Sequence, residues 1–150
     1  MTAIDAREKT AETRFGTIAY REEAVVEFPL GLPGFAGNRR FLFTRMPGAE
    51  TAFQLLHGLD GDPVDLVVVP LDSLGERVSL ADVDDVRASL EIPPDDLLTL
   101  CVVTLPPRGA DAAARVNLRA PIFVDVARRV AVQVVLPNTA YPFREPLRAA

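Results

Sequence analysis

The stretch PIFVDVARRVAVQVVL, residues 121–136, holds two apolar runs parted by Ala127-Arg128-Arg129. In the second run Val130, Val132, Val134 and Leu136 fall on one face of an extended chain and Ala131, Gln133 and Val135 on the other, the period of a strand over a core. The three-residue link makes a tight reversal onto the preceding strand, 121–126. Working outward, 97–105 and 115–118 read as strands with the loop Pro106-Pro107-Arg108-Gly109 between them. Upstream, 40–45, 52–57 and 64–69 form a meander broken at Pro47-Gly48 and at Asp60-Gly61-Asp62-Pro63, and 13–20 and 23–28 have the spacing of a hairpin turning at Arg21-Glu22. One amphipathic helix is predicted: Leu80, Val83, Val86 and Leu90 recur at three and four, Asp82, Asp84 and Asp85 lie near its positive end, and Pro93-Pro94 stops it.

About nine strands without βα alternation indicate an antiparallel barrel or sandwich. The expected fold is all-β and mainly antiparallel, one compact barrel-like domain over residues 13–148 with a short helix near 81–91. Residues 1–12 are poor in apolar side chains and read as a flexible N-terminal tail.

Among the 150 residues, 49% are hydrophobic and spread along the whole length, enough for one core that buries roughly two thirds of the unfolded surface. No run approaches the roughly 20 apolar residues that cross a bilayer, and MTAIDAREKTAETR at the start has no apolar signal stretch, so a cytoplasmic location without membrane contact is expected. The net charge of −5 argues against direct nucleic-acid binding. Its distribution is uneven: residues 60–96 carry eleven acids against Arg77 and Arg87, a balance of −9, leaving +4 for the remainder. Such a sector suits a basic partner, or serves only solubility.

Candidate chemistry is sparse. Cys101 sits within LLTLCVVTL and reads as a buried hydrophobe. His57 is the one histidine and has no nucleophile elbow to serve, so a structural or surface role is expected. One His and one Cys cannot make a tetrahedral zinc site, and Asp60, Asp62 and Asp65 lack the rest of an EF-hand loop. No phosphate-binding glycine loop or HExxH motif occurs, and no cofactor is expected.

The segment FPLGLPGF, residues 28–35, is organised differently. Its two prolines withhold amide donors, and Pro33-Gly34 has the order of a type II turn. Its apolar residues exceed what an ordinary loop carries; the bends at Gly31 and Pro33-Gly34 predict Phe28 and Phe35 turned inward, with Leu30 or Leu32 left for a partner.

Four motifs in register carry a resemblance over about residues 13–148: FPLGLPGF at 28–35, NLRAPI at 117–122, QVVL at 133–136 and YPFREPL at 141–147. Together they resemble the FliW family of flagellar assembly factors. The family-motif positions Phe28, Gly31, Pro33, Gly34, Phe35, Asn117, Pro121, Gln133 and Tyr141 are expected to be structural. Two departures stand out: Leu56-His57-Gly58 where the family reads leucine-glutamine-serine, and Ala131-Val132 in place of its glycine-lysine pair. The resemblance implies a non-enzymatic β-barrel protein, monomeric when free, that binds cytoplasmic flagellin and antagonises the translational regulator CsrA, a basic RNA-binding dimer. Partner switching would couple flagellin translation to export. Partner contacts are then expected at Leu30 and Leu32 and at Asp60, Asp62, Asp65, Asp82, Asp84 and Asp85. The alternatives are a small β-barrel ligand-binding module or enzyme with an apolar pocket, or a structural interaction subunit without a regulatory role.

Overall fold

The computed structural model describes residues 7–35, 37–45 and 52–147. The turn expected at Pro47-Gly48, the first six residues of the expected tail and residue 148 lie outside them. Among them eleven strands and one α-helix follow in order: β1 (Glu8–Thr13), β2 (Gly16–Arg21), β3 (Val26–Glu27), β4 (Arg40–Arg45), β5 (Gln54–Gly58), β6 (Asp65–Pro70), α1 (Leu80–Ser89), β7 (Leu97–Thr104), β8 (Ala114–Val116), β9 (Ile122–Asp125), β10 (Val130–Gln133) and β11 (Glu145–Leu147). The predicted meander is present as β4-β5-β6-β7. Its sheet continues through β3, β10 and β9, and β9 pairs back onto β7, which closes a barrel of seven strands. All the pairings in that ring are antiparallel except β3 with β10.

Strand β7 closes the ring because it is long. Leu97 to Leu100 pair with β9, while Val103 and Thr104 on the same edge pair with β8, and β11 adds outside β8. Alternate residues of the barrel strands enter two different cores. Phe41, Leu56, Val68, Leu100, Ile122, Val124 and Ala131 meet inside with Val26, so every strand of the ring contributes to one cluster. Val67, Val69, Cys101, Val103 and Phe123 face outward and are roofed by Val83 and Ile92 of the α1 region and by Leu136. Both faces of β6, β7 and β9 are therefore buried, and these strands read as continuous apolar runs instead of alternating ones.

The structure corrects several expectations. The first hairpin is β1 with β2, a six-pair ladder from Glu8↔Arg21 to Thr13↔Gly16, so residues 8–12 are strand and not tail. Thr13 makes that turn: its Oγ1 accepts the Phe15 N–H at 3.0 Å and donates to the Gly16 carbonyl at 2.7 Å. Around the expected turn at Arg21-Glu22 the chain instead forms a single 3₁₀ turn, Glu22–Ala24, leading into β3. In α1 the apolar stripe is narrow, with Val83 buried and Leu80 at 77% exposed, and the helix ends before the prolines, where Glu91 takes a left-handed φ of 58°. Strand β10 ends at Gln133, and its buried side chain is Ala131, while Val130 is exposed.

The loop after β3 is divided otherwise than predicted. The turn itself is as read: Phe35 N–H donates to the Leu32 carbonyl at 2.8 Å, and Gly34 has φ 85°. Phe28 is fully buried and meets Phe41 edge-on at 4.9 Å between ring centroids. Leu32 is also inside, at 3% exposure, whereas Phe35 is 38% exposed and Leu30 80%. A second turn explains this: Gly31 N–H reaches back to the Phe28 carbonyl at 2.8 Å, so Leu30 caps an outward bulge and Leu32 returns beneath it. Leu32 is thus withdrawn from the expected partner surface.

Candidate protein-docking surface

The remaining motif positions knit the chain together. Asn117 Oδ1 accepts the N–H groups of Arg119 at 3.1 Å and Ala120 at 3.0 Å, closing a side-chain-mimicked turn. Gln133 Nε2 donates to the Ala120 carbonyl at 3.0 Å, and Val134 N–H donates to that of Pro121 at 3.0 Å, so the 117–122 and 133–136 motifs hold each other. Tyr141 OH accepts the Ser79 N–H at 3.0 Å and donates to the Asp82 carboxylate, tying the C-terminal segment to the start of α1.

His57 is 5% exposed, and its Nδ1 is bonded to Asp65 Oδ1. The other oxygen of Asp65 accepts the Arg14 N–H of the β1–β2 turn at 3.1 Å. Asp65 is therefore largely covered, with both oxygens engaged, and the structure removes it from the expected partner contacts. Its neighbour Gly58 is set by packing: a Cβ there would lie 2.7 Å from Val64 Cγ1, so a serine at this position would require Val64 to move. Burial pushes the Cys101 thiol up to about 12, which leaves it protonated and unreactive at neutral pH. Among the described residues no group of three or more His, Cys, Asp or Glu side chains is placed to hold a metal ion.

The acidic stretch does not form one continuous patch. Strand β6 separates its two ends by roughly 17–20 Å, at about 3.3 Å per residue. At the near end Asp60 Oδ1 accepts the N–H groups of Arg39 at 3.0 Å and Arg40 at 3.1 Å, and the buried Asn38 donates from Nδ2 to the carbonyls of Asp60 and Asp62. The Asp60 carboxylate thus braces its own loop, and Asp62 stays exposed. At the far end the acids gather around α1. A cleft of about 380 Å³ has Val78, Val83 and Leu97 in its floor, Asp72 and Glu76 on its rim and the exposed Leu80 beside them. A second cleft, about 610 Å³, lies on the other flank between Asp82, Asp85, Val86 and Ser89 of the helix and Pro137-Asn138. Asp84 carries an ion pair to Arg87 at 2.8 Å, while Asp85 is exposed. Sequence reasoning named the helix acids but missed Asp72 and Glu76 as rim residues, because only the fold sets them against an apolar floor.

Fold and surface together define a small closed-barrel protein whose exterior offers apolar clefts with charged rims. A family model described as FliW protein matches residues 9–147, and the chain belongs to the FliW family of flagellar assembly factors. It is 32% identical over 133 residues to the flagellar assembly factor FliW of Clostridium novyi (strain NT), covering 88% of this chain and 91% of that one. Against the flagellar assembly factor FliW of Thermotoga maritima the identity is 29% over 140 residues, 91% of each chain. A crystal structure of the flagellar assembly factor FliW superposes with a TM-score of 0.75 at 26% identity, covering 94% of this chain and 98% of that one. No helix among the described residues is long and apolar enough to cross a membrane.

Proposed function

We propose that this chain serves flagellar assembly as a cytoplasmic, monomeric, non-enzymatic docking protein that binds flagellin and antagonises CsrA, each partner excluding the other. The observation that carries this reading is the face around α1, where acids rim two apolar clefts. A basic dimer such as CsrA meets complementary charge there and apolar seats beneath it. Exclusion of one partner by the other makes flagellin level the input and CsrA release the output, because a ligand shifts an equilibrium only through differential affinity.

The test is association of the purified chain with CsrA across a salt series, with and without flagellin. Association should slow as salt rises, and flagellin should displace CsrA. Neutralising the exposed rim with Asp72→Asn, Glu76→Gln and Asp85→Asn should lower the on-rate by about tenfold or more and flatten the salt dependence. If on-rate and salt dependence are unchanged, the acids serve only solubility and the α1 face is not the dock.

A further inference from the structure

A third cleft, at the other end of β6, is different in charge. The β6–β7 ladder ends at Val67↔Val103, although β6 continues on one side through Leu66 and Asp65 and β7 on the other through Thr104. Ladder parity fixes where the next main-chain groups point. Gly58 N–H donates to the Val64 carbonyl at 2.9 Å, so even-numbered β6 residues bond to β5 and odd-numbered ones to β7. The N–H and C=O of Asp65 are thus aimed at the β7 side, beyond the last bridge. The cleft opened there is about 680 Å³, with Phe15, Leu66, Val102 and Leu105 in its walls.

Two arginines, Arg14 and Arg108, flank those walls, and neither makes an ion pair among the described residues. The Arg14 guanidinium lies over the Phe15 ring, 5.3 Å from its centroid. The one carboxylate in the lining, Asp65, is already engaged by His57 and by the Arg14 N–H. The cleft therefore presents cations, apolar side chains and an open strand edge, and no competing anion.

We infer that the cleft between the β1–β2 turn and the open end of the β6–β7 ladder docks an extended segment of a partner protein in which acidic side chains accompany apolar ones. The segment adds main-chain hydrogen bonds at the open edge, seats apolar side chains against Leu66 and Leu105, and pairs its carboxylates with Arg14 and Arg108. This surface is opposite in sign to the α1 face, so one barrel offers distinct seats to partners of opposite charge.

The inference is tested on the full isotope-labelled chain by amide shifts, using a synthetic peptide that alternates valine with glutamate and its valine–lysine counterpart. The glutamate peptide should shift Leu66, Thr104 and Leu105 and leave α1 unmoved, and the lysine peptide should not. Arg108→Glu, on an exposed loop, should melt as the parent does yet weaken the glutamate peptide by about tenfold. Equal binding of both peptides, shifts confined to α1, or no shift at all would overturn the inference. So would reproduction of the shifts by inorganic sulfate, which marks a simple anion site, or their appearance with chain concentration alone, which marks a second copy of the chain. The probes include neither flagellin nor CsrA, so failure here leaves the α1 reading standing.

Discussion

At the scale of single residues, the contrast between Leu30 and Leu32 shows how two adjacent turns assign opposite tasks to similar side chains. Leu30 rides on the outside of the first turn, and Leu32 returns into the barrel core. Leu30→Asp should leave the melting temperature near that of the parent. Leu32→Asp places a carboxylate among apolar groups and should lower stability by several kcal/mol, at least the roughly 2–5 kcal/mol of a leucine truncation. Gly34→Ala completes the series. Nothing lies within 4 Å of the position its Cβ would take, so any loss comes from the backbone at φ 85°, about 1–2 kcal/mol. Thermal melts of the three variants check this, and a Leu32→Asp protein as stable as Leu30→Asp would refute the assignment.

Among the elements, the β1–β2 hairpin stands apart from the nine-stranded sheet. One of its ties to the barrel is the Arg14 N–H to Asp65, which His57 holds in place from beneath. Asp65→Asn keeps the size of the side chain but removes the charge that both neighbours use. Hydrogen exchange should then quicken across 8–21 while β5 to β7 keep their protection, a local loss of about 1–3 kcal/mol. Unchanged protection in the hairpin would mean that other contacts hold it. Lys9 and Arg40 also converge on Glu22 beside the hairpin, and they hold its carboxyl below the usual range, Arg40 more strongly than Lys9. Because all three groups are at the surface, this adds little to the tie.

For the whole molecule, closure of the barrel is uneven. Strand β3 has two residues, and its bridge to β10 is the single pair Val130↔Glu27, supported by Glu27 N–H to the Arg129 carbonyl at 2.9 Å. Elsewhere in the ring neighbouring strands share four or five pairs, apart from the short β3–β4 join. Native-state hydrogen exchange should therefore find the β3–β10 seam opening before the β5–β6–β7 sheet, by sub-global opening. Simultaneous exchange of the seam and the sheet would indicate that the barrel opens only as a unit.

Much of this molecule is set by local chemistry and is legible without coordinates. The proline–glycine turn at 33–34, the meander from β4 and the helix over 80–89 all follow from side-chain period and fixed backbone preferences, which act between near neighbours. The buried, inert state of Cys101 follows in the same way from its apolar run. Tertiary structure alone decided the rest. The β1–β2 hairpin was missed because its turn is closed by the Thr13 side chain and not by a favoured glycine pair. Leu32 and Phe35 exchanged places because their exposure depends on the barrel end that they meet. The acidic stretch split because β6 carries its two parts to opposite ends of the barrel, and the arginine-flanked cleft joins residues from 14 to 108. Such arrangements are contacts between distant segments, and sequence periodicity carries no term for which distant segments meet.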